Sequence, residues 1–400
     1  MPVTLSQSLP TAALLASTGF EVNGVDLNAH AVETINQGRI HIVEPDLDAY
    51  VRSAVAAGRL KAYAQPQAAD IYMICVPTPF HPGEGIPQPN IDYVLAATGS
   101  IAGLVKSGDL VILESTSPVG TTHKIAEVLS QAGADMSQVY VAYCPERVLP
   151  GKIMTELVEN DRVVGGLTPE ATKAVSSFYK TFVRGAVLET DAATAEMCKL
   201  TENSYRDVNI AFANELSLLC AKSGINVWQL IKLANRHPRV NILQPGTGVG
   251  GHCIAVDPWF IVASDPDNAR IIRTAREVNN YKTEWVIDQI KIAVADASAK
   301  TGKKPKVACL GLAFKPDIDD LRESPAVHVA SALQAQGYDV VTVEPNIHSH
   351  DKFVLVDLED ALQAADVVAV LVKHRQFVQL AGASELDGDR VLDFCGVRGL

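Results

Sequence analysis

Ile71-Tyr-Met-Ile-Cys-Val76 is a run of six apolar residues that stops against Pro77-Thr78-Pro79. Six residues is strand length, and an apolar side chain at every position, not at alternate ones, predicts a strand covered on both faces. Residues 20–25, 110–113 and 139–143 repeat the pattern, each followed by polar or proline-containing residues, with longer helical stretches between them. This alternation predicts a mostly parallel sheet flanked by helices, with ligands at the C-terminal ends of the strands. The run that ends at Asp26 puts a carboxylate where dinucleotide folds hydrogen-bond a ribose hydroxyl. Gly24-Val25-Asp26 alone fits a surface aspartate at a strand end equally well.

Beyond residue 190 the periodicity becomes helical. Thr190 or Asp191 caps a helix over 192–223, on which Met197, Leu200, Val208, Phe212, Leu216 and Leu219 recur near helical spacing, and Gly224 ends it. Lys199 and Asn203, four apart, share one face, which is either functional or simply solvated. A second helical tract covers about 269–297. The charged linker Lys300-Thr-Gly-Lys-Lys-Pro305 follows, and then 307–310, 340–343, 367–372 and 391–394 read as buried parallel strands of a second α/β domain that begins near residue 303.

With 400 residues and 48% hydrophobic content the chain buries a sizeable core in two or three domains. Its seven cysteines are odd in number, include no CxxC pair and stand in no Cys/His cluster at metal spacing. They read as reduced thiols in a cytoplasmic protein, with no metal site expected. The apolar stretch 9–16 lacks the basic residues of a signal peptide, since no Lys or Arg precedes Arg39, and no run approaches the roughly 20 apolar residues of a membrane span. A net charge of −12 argues against nucleic acid as a partner. A small molecule is the expected ligand, and no membrane association is expected.

One loop stands out chemically: Pro245-Gly-Thr-Gly-Val-Gly-Gly-His252-Cys253-Ile-Ala-Val-Asp257-Pro258. Four glycines in six positions let the backbone take positive φ and approach a ligand, and the loop then presents a thiol and, four residues on, a carboxylate. Cys253 is the candidate nucleophile. Its competing reading is a small buried hydrophobe, the usual fate of a lone cysteine.

Six ordered motifs carry a resemblance: Val76-Pro-Thr-Pro79, Glu114-Ser-Thr116-Ser-Pro-Val-Gly120, Cys144-Pro-Glu146, Glu196-Met-Cys-Lys199-Leu-Thr-Glu-Asn203, the Cys253 loop, and Gly311-Leu-Ala-Phe-Lys315 running on through Asp319, Asp320 and Arg322 to Pro325. Together they resemble the UDP-glucose/GDP-mannose dehydrogenase family over nearly the whole chain. The resemblance implies an α/β protein of two Rossmann-like parallel-sheet domains joined by a central helical dimerisation region. The corresponding boundaries are 1–189 for NAD binding, 190–299 for the helical region with the cysteine loop, and 300–400 for the UDP-sugar. It implies NAD as cofactor, a UDP-sugar as substrate and a homodimer. Stretches 39–46, 143–151 and 234–245 most resemble members that oxidise UDP-N-acetyl-D-mannosamine at C6, with UDP-N-acetylglucosamine or UDP-glucose as alternatives.

The family's catalytic roles then fall on Cys253 as nucleophile, Lys199 and Asn203 at the oxyanion, Asp257 and Thr116 at a water, and Glu146 in thioester formation or hydrolysis. Cofactor contacts fall on Asp26, Pro77, Thr78, Thr116 and Arg322. Substrate contacts fall on Glu146, Arg147, Lys199, Asn203, Arg206, His237, Arg239, Gly250 and Lys315. For Lys315 and Arg322 the competing reading is an ion pair with Asp319, Asp320 or Glu323.

One departure from the pattern stands at the start of the chain. A dinucleotide-binding domain opens with a buried strand and a GxGxxG turn, but Val3 to Ser8 occupy that place and no glycine precedes Gly19. Ser6 or Ser8 is still able to cap the first helix and offer a hydroxyl to phosphate, but a Cβ at those positions should crowd the pyrophosphate. Three readings follow: an active sugar-nucleotide dehydrogenase, a non-catalytic homologue with impaired NAD binding, and a thiol hydrolase using Cys253 with His252. The last is disfavoured because vicinal side chains rarely face each other.

Overall fold

The computed structural model describes residues 5–40, 42, 44–149, 151–251, 253–380, 386 and 388–398, the side chains of residues 5–7 excepted. The chain divides into two compact units, Met1–Glu202 and Asn203–Leu400. The first runs α1 (Leu5–Ser17), β1 (Val22–Val25), α2 (Ala29–Asn36), α3 (Leu47–Ala56), β2 (Leu60–Tyr63), β3 (Ile71–Ile74), α4 (Asp92–Ile101), β4 (Leu110–Leu113), α5 (Thr121–Gln131), β5 (Tyr140–Tyr143), α6 (Ile153–Glu159), β6 (Arg162–Gly166), α7 (Pro169–Tyr179) and β7 (Val187–Asp191). Helix α8 (Ala192–Ser223) begins there and continues into the second unit, which carries α9 (Val227–Ala234), α10 (Asp257–Ser264), α11 (Arg270–Thr301), β8 (Lys306–Leu310), α12 (Pro325–Ala335), β9 (Asp339–Val343), α13 (Leu358–Ala364), β10 (Val367–Val370), α14 (Arg375–Leu380) and β11 (Val391–Asp393).

Strands form where the apolar runs lie. All four residues of β4 are buried, as a strand covered on both faces requires. Three strands escape the sequence reading. β2 alternates around the exposed Lys61, β6 contains Arg162 and two glycines, and β7 is mostly exposed. Gly165 is obligatory in β6, because a Cβ there would meet the backbone of Asp191 on β7.

The first unit's strands form two pieces, not one sheet. β3-β4-β5-β6-β7 is parallel except for the antiparallel β5/β6 pair, while β1 and β2 form a separate two-stranded parallel sheet. A single apolar cluster holds the pieces together, joining Leu9, Ala13 and Leu14 of α1 to Leu60 of β2 and Ile112 of β4. The expectation at the N-terminus is partly corrected. Val3 and Thr4 lie outside the described residues, and α1 already includes Leu5, so Ser6 and Ser8 stand inside the helix and do not cap it.

In the second unit the sheet is continuous, in the order β11-β10-β8-β9 with every pair parallel. Beside it α8 and α11 meet through a buried polar ladder. Arg276 donates to Asp207 at 2.7 Å, Asn279 donates to the same carboxylate at 2.7 Å, and Asn214 donates to Asn279 at 2.9 Å. Lys282 donates to Ser217 at 2.8 Å, and burial lowers the pKa of its ammonium to about 7. Among the described residues no helix is long and apolar enough to cross a membrane, and no group of His, Cys, Asp and Glu is arranged to hold a metal ion.

Candidate active site

In the first unit the candidate residues gather at the C-terminal ends of the parallel strands. Buried Asp26 follows β1 and accepts the Asn28 N–H at 2.8 Å, fixing the turn into α2. Pro77 and Thr78 follow β3, and the Thr78 hydroxyl donates to the carbonyl of Thr116, beyond β4, at 2.7 Å. The two loops are tied again where the Val76 N–H donates to the Ser115 hydroxyl at 2.7 Å. Pro77 is exposed, and Thr78 and Thr116 are half-buried.

Glu146 follows β5. Its carboxylate accepts the Arg147 N–H at 2.8 Å and lies 3.2 Å from Arg162, whose side chain is buried. Its carbonyl receives the ammonium of Lys199, from α8, at 2.7 Å, so two residues expected to act together do meet. Arg147 instead forks onto Glu202 at 2.8 and 3.2 Å and reaches the Asp161 carbonyl at 3.0 Å, so its charge is balanced within the unit.

Behind Glu146 lies a cluster that its motifs leave unread. Glu114 is buried, accepts from the Cys75 thiol at 3.0 Å and the Tyr179 hydroxyl at 3.3 Å, and is pushed up to about 7 by burial and by the charge of Glu146. Arg162, on β6, and Tyr179, on α7, belong to no quoted motif, which hides them. Glu196, quoted within a motif, acts on structure. Its carboxylate accepts the N–H of Gly120 at 2.6 Å and of Thr122 at 2.8 Å, capping α5 from α8.

The second unit carries the thiol. Cys253 is the exposed cysteine of the seven; of the rest, burial pushes Cys144 and Cys309 up to about 12 and raises Cys75 and Cys395 well above the ordinary thiol range. The Cys253 carbonyl accepts the Asp257 N–H at 2.8 Å as the chain turns into α10, and the charge of the Arg322 guanidinium interacts with the thiol. Asn203 donates to buried Asp257 at 2.5 Å, which brings those two expected residues together.

The glycines of this loop have a nearer reason than a ligand. A Cβ on Gly248 would strike Thr283, one on Gly250 would strike the Glu323 carbonyl, and one on Gly251 would come within 2.9 Å of Phe314. Arg322 forks onto Asp320 at 2.6 and 3.0 Å, the ion pair weighed against a binding role. Arg206, His237, Arg239 and Lys315 are exposed; the Arg239 N–H donates to the His237 ring at 3.3 Å. His252 lies outside the described residues.

NAD fits part of this arrangement. Asp26, Pro77, Thr78 and Thr116 lie beyond the C-terminal ends of β1, β3 and β4, the side of an α/β sheet on which ligands bind. The diphosphate cradle has no counterpart among the described residues, because helix already occupies Leu5 to Ser8.

The comparisons agree with this division of labour. The UDP-glucose/GDP-mannose dehydrogenase family matches with its NAD binding domain over residues 8–183, its central domain over 193–281 and its UDP binding domain over 308–397. UDP-N-acetyl-D-mannosamine dehydrogenase of Escherichia coli (strain K12) is 57% identical over 392 residues, 94% of this chain and 93% of that one. NDP-N-acetyl-D-galactosaminuronic acid dehydrogenase of Ralstonia nicotianae is 54% identical, covering 96% of this chain and 90% of that one. Among solved structures, the UDP-D-ManNAc dehydrogenase of Pyrococcus horikoshii superposes with a TM-score of 0.88 at 36% identity, covering 99% of this chain and 95% of that one. The chain is therefore a member of the UDP-glucose/GDP-mannose dehydrogenase family, whose enzymes use NAD.

Proposed function

We propose that the chain oxidises UDP-N-acetyl-D-mannosamine at C6 to UDP-N-acetyl-D-mannosaminuronate, a cytoplasmic step toward envelope polysaccharide. The observation that carries the reading is Cys253, an exposed thiol on a glycine-rich loop in a protein whose other thiols are withdrawn from solvent or raised in pKa. The name of the 57% identical relative supports the choice of sugar.

Alcohol to carboxylate is a four-electron oxidation, and NAD, when bound, takes two electrons as hydride, so two molecules are needed in turn. Between the two hydride transfers Cys253 holds the aldehyde carbon as a thiohemiacetal. Loss of the second hydride leaves a thioester, which water cleaves to the acid and the thiol. Lys199 and Asn203 steady the oxyanion, and Asp257, oriented by the amide of Asn203, positions the water. Glu146, held by Arg162, serves thioester formation or hydrolysis, with Thr116 near the same water. Arg239, His237, Arg206 and Lys315 are exposed cations or polar groups suited to the anionic nucleotide.

The partner is a second copy of the chain. Tyr205, Phe212 and Leu219 lie at seven-residue spacing on α8 and are 70%, 53% and 57% exposed, an apolar stripe a lone protomer would leave in water. Sedimentation velocity, reading one or two chains per particle, decides this.

The activity test follows reduced-nicotinamide absorbance with UDP-N-acetylmannosamine, UDP-N-acetylglucosamine, UDP-N-acetylgalactosamine and UDP-glucose. The manno sugar should give the highest kcat/KM, and Cys253→Ala should lower uronate formation by at least about a thousandfold. Preference for UDP-glucose would overturn the substrate, and near-wild-type acid production by the alanine variant would overturn the nucleophile. A second reading, a homologue with impaired NAD binding, is favoured by the helical start at Leu5. A direct NAD titration separates the two.

A further inference from the structure

We infer that His374 is a positioning residue for Lys315. Its imidazole, donating at Nε2 and accepting at Nδ1, holds the turn of residues 311–317 in the shape that presents the Lys315 ammonium to the anionic nucleotide of a UDP-sugar. The identity of that anion rests on the proposed function; the hold on the turn rests on the hydrogen bonds alone.

His374 stands between β10 and α14, with its side chain wholly buried. Its Nε2 lies 3.1 Å from a carboxylate oxygen of Glu344, just beyond β9. Its Nδ1 lies 3.0 Å from the backbone nitrogen of Asp317 and 3.1 Å from the side-chain nitrogen of Asn346. A backbone N–H only donates, so Nδ1 offers its lone pair and the ring proton sits on Nε2, where Glu344 accepts it. One buried ring thus reaches the segments that follow β8, β9 and β10, on the side of an α/β sheet where ligands bind.

Both bonds end on the turn that follows β8. The Glu344 oxygen that accepts from Nε2 also accepts the N–H groups of Leu312 and Ala313, at 2.7 and 2.9 Å, so that bond fixes the start of the turn. The Nδ1 bond fixes its end at Asp317 directly. Lys315 and Pro316 are exposed between these anchors, and among the described residues no carboxylate pairs with the Lys315 ammonium.

Asp317 has φ 60°, in the left-handed region that a side chain makes costly, so this shape persists only where its surroundings impose it. Two adjacent residues do so. His374 takes the Asp317 N–H, and Arg375 grips the Asp317 carboxylate through its own N–H at 2.9 Å and its Nε at 3.0 Å. The His374 ring also meets Phe377 edge-on with centroids 5.4 Å apart, a contact of shape that asks nothing of the two nitrogens. Substitution therefore separates packing from positioning.

The test titrates UDP, which needs no NAD, into the full chain by calorimetry. His374→Phe keeps the bulk of the ring and its contact with Phe377 but loses both polar bonds, and it should raise the Kd for UDP at least about tenfold. His374→Asn is smaller yet keeps an oxygen near the Nδ1 position for the Asp317 N–H, and it should stay within about threefold of wild type. Lys315→Ala should weaken UDP on its own and add little in the His374→Phe background, since residues that act through one another are not additive. His374→Gln, whose amide reaches Glu344 and leaves no acceptor at the Nδ1 position, completes the same cycle if the phenylalanine variant does not fold. In turnover, KM for the UDP-sugar should rise by the same factor with kcat held within about threefold, as when binding common to ground and transition states is lost. Equal UDP affinity in wild type and His374→Phe overturns the inference and leaves the proposed function standing. So do additive losses in the double variant, and so does a loss in His374→Asn as large as that in His374→Phe, the mark of mere packing. A wild-type chain that binds no UDP overturns the inference together with the proposed function.

Discussion

β8 has a hydrogen-bonded neighbour on each side, whereas β1 and β3 each have one and face a cleft. Both units wind helices about parallel strands, and this difference between them separates what backbone pairing does from what helix packing does. The first unit keeps its two strand sets in place through α1, whose apolar face is shared by both. Packing of about 25 cal/mol per Å² of apolar surface is therefore able to hold a doubly wound layer where the ladder is interrupted. The second unit adds something packing does not supply. The turn after β8 donates the N–H groups of Leu312 and Ala313 to Glu344, at 2.7 and 2.9 Å, at the end of β9. Polar groups at strand ends are thus organised by the central strand.

The comparison breaks most sharply at β8. Cys309→Asp would bury an unpaired carboxylate on the sheet face covered by α11 and α12 and should cost about 4 kcal/mol or more, read as a shifted urea midpoint. A small shift would mean that β8 is no more essential than an edge.

Two buried glutamates sharpen it further. Burial and Glu146 raise Glu114 to about 7, so the native state keeps a proton that the unfolded chain releases near 4.5. Stability from this group is full below about pH 4.5 and declines as pH rises to 7, by roughly 3 kcal/mol; Glu114→Gln should flatten that decline in denaturation curves taken across the window. At Glu344 burial pushes upward, but His374 and the two backbone donors outweigh it and bring the group down to about 2. Its contribution is present above pH 4.5 and is lost as pH falls toward 2, so Glu344→Gln should remove an acid-side loss. Slopes of the same sign in both variants would erase the contrast.

The smallest effect belongs to the cleft edge. The Val22 and Asp26 N–H groups donate to Arg59 and Tyr63, so the even-numbered residues of β1 serve β2. Asn23→Pro removes a backbone donor that serves no strand among the described residues, and it should change stability by less than about 1 kcal/mol in the same urea assay. A larger loss would show that the edge is already engaged.

Much of this was legible in residues alone. Unbroken apolar runs mark β3, β4, β5, β8 and β10, because strands covered on both faces admit little else. Helix α8 begins and ends where its cap and glycine place it. β2, β6 and β7 were hidden because Lys61, Arg162 and Glu189 satisfy themselves through exposure or distant partners that composition does not reveal. At the candidate site, motif residues were found but their neighbours were not. Arg162, Tyr179 and Glu114 acquire meaning only once β4, β5, β6 and α7 converge. The glycines around Cys253 were read as room for a ligand, yet three of them make room for Thr283, Glu323 and Phe314.

Two strand edges that face one cleft also carry a colloidal consequence. An edge strand is a template for any other edge, and sheets left open tend to add foreign strands end upon end as fibres. Here the template is recessed between helices and flanked at one end by Glu21 and Asp70, so a second folded molecule would present its own acids to the same mouth. Acidic or high-salt solution removes that repulsion, and those are the conditions in which this chain should cloud first.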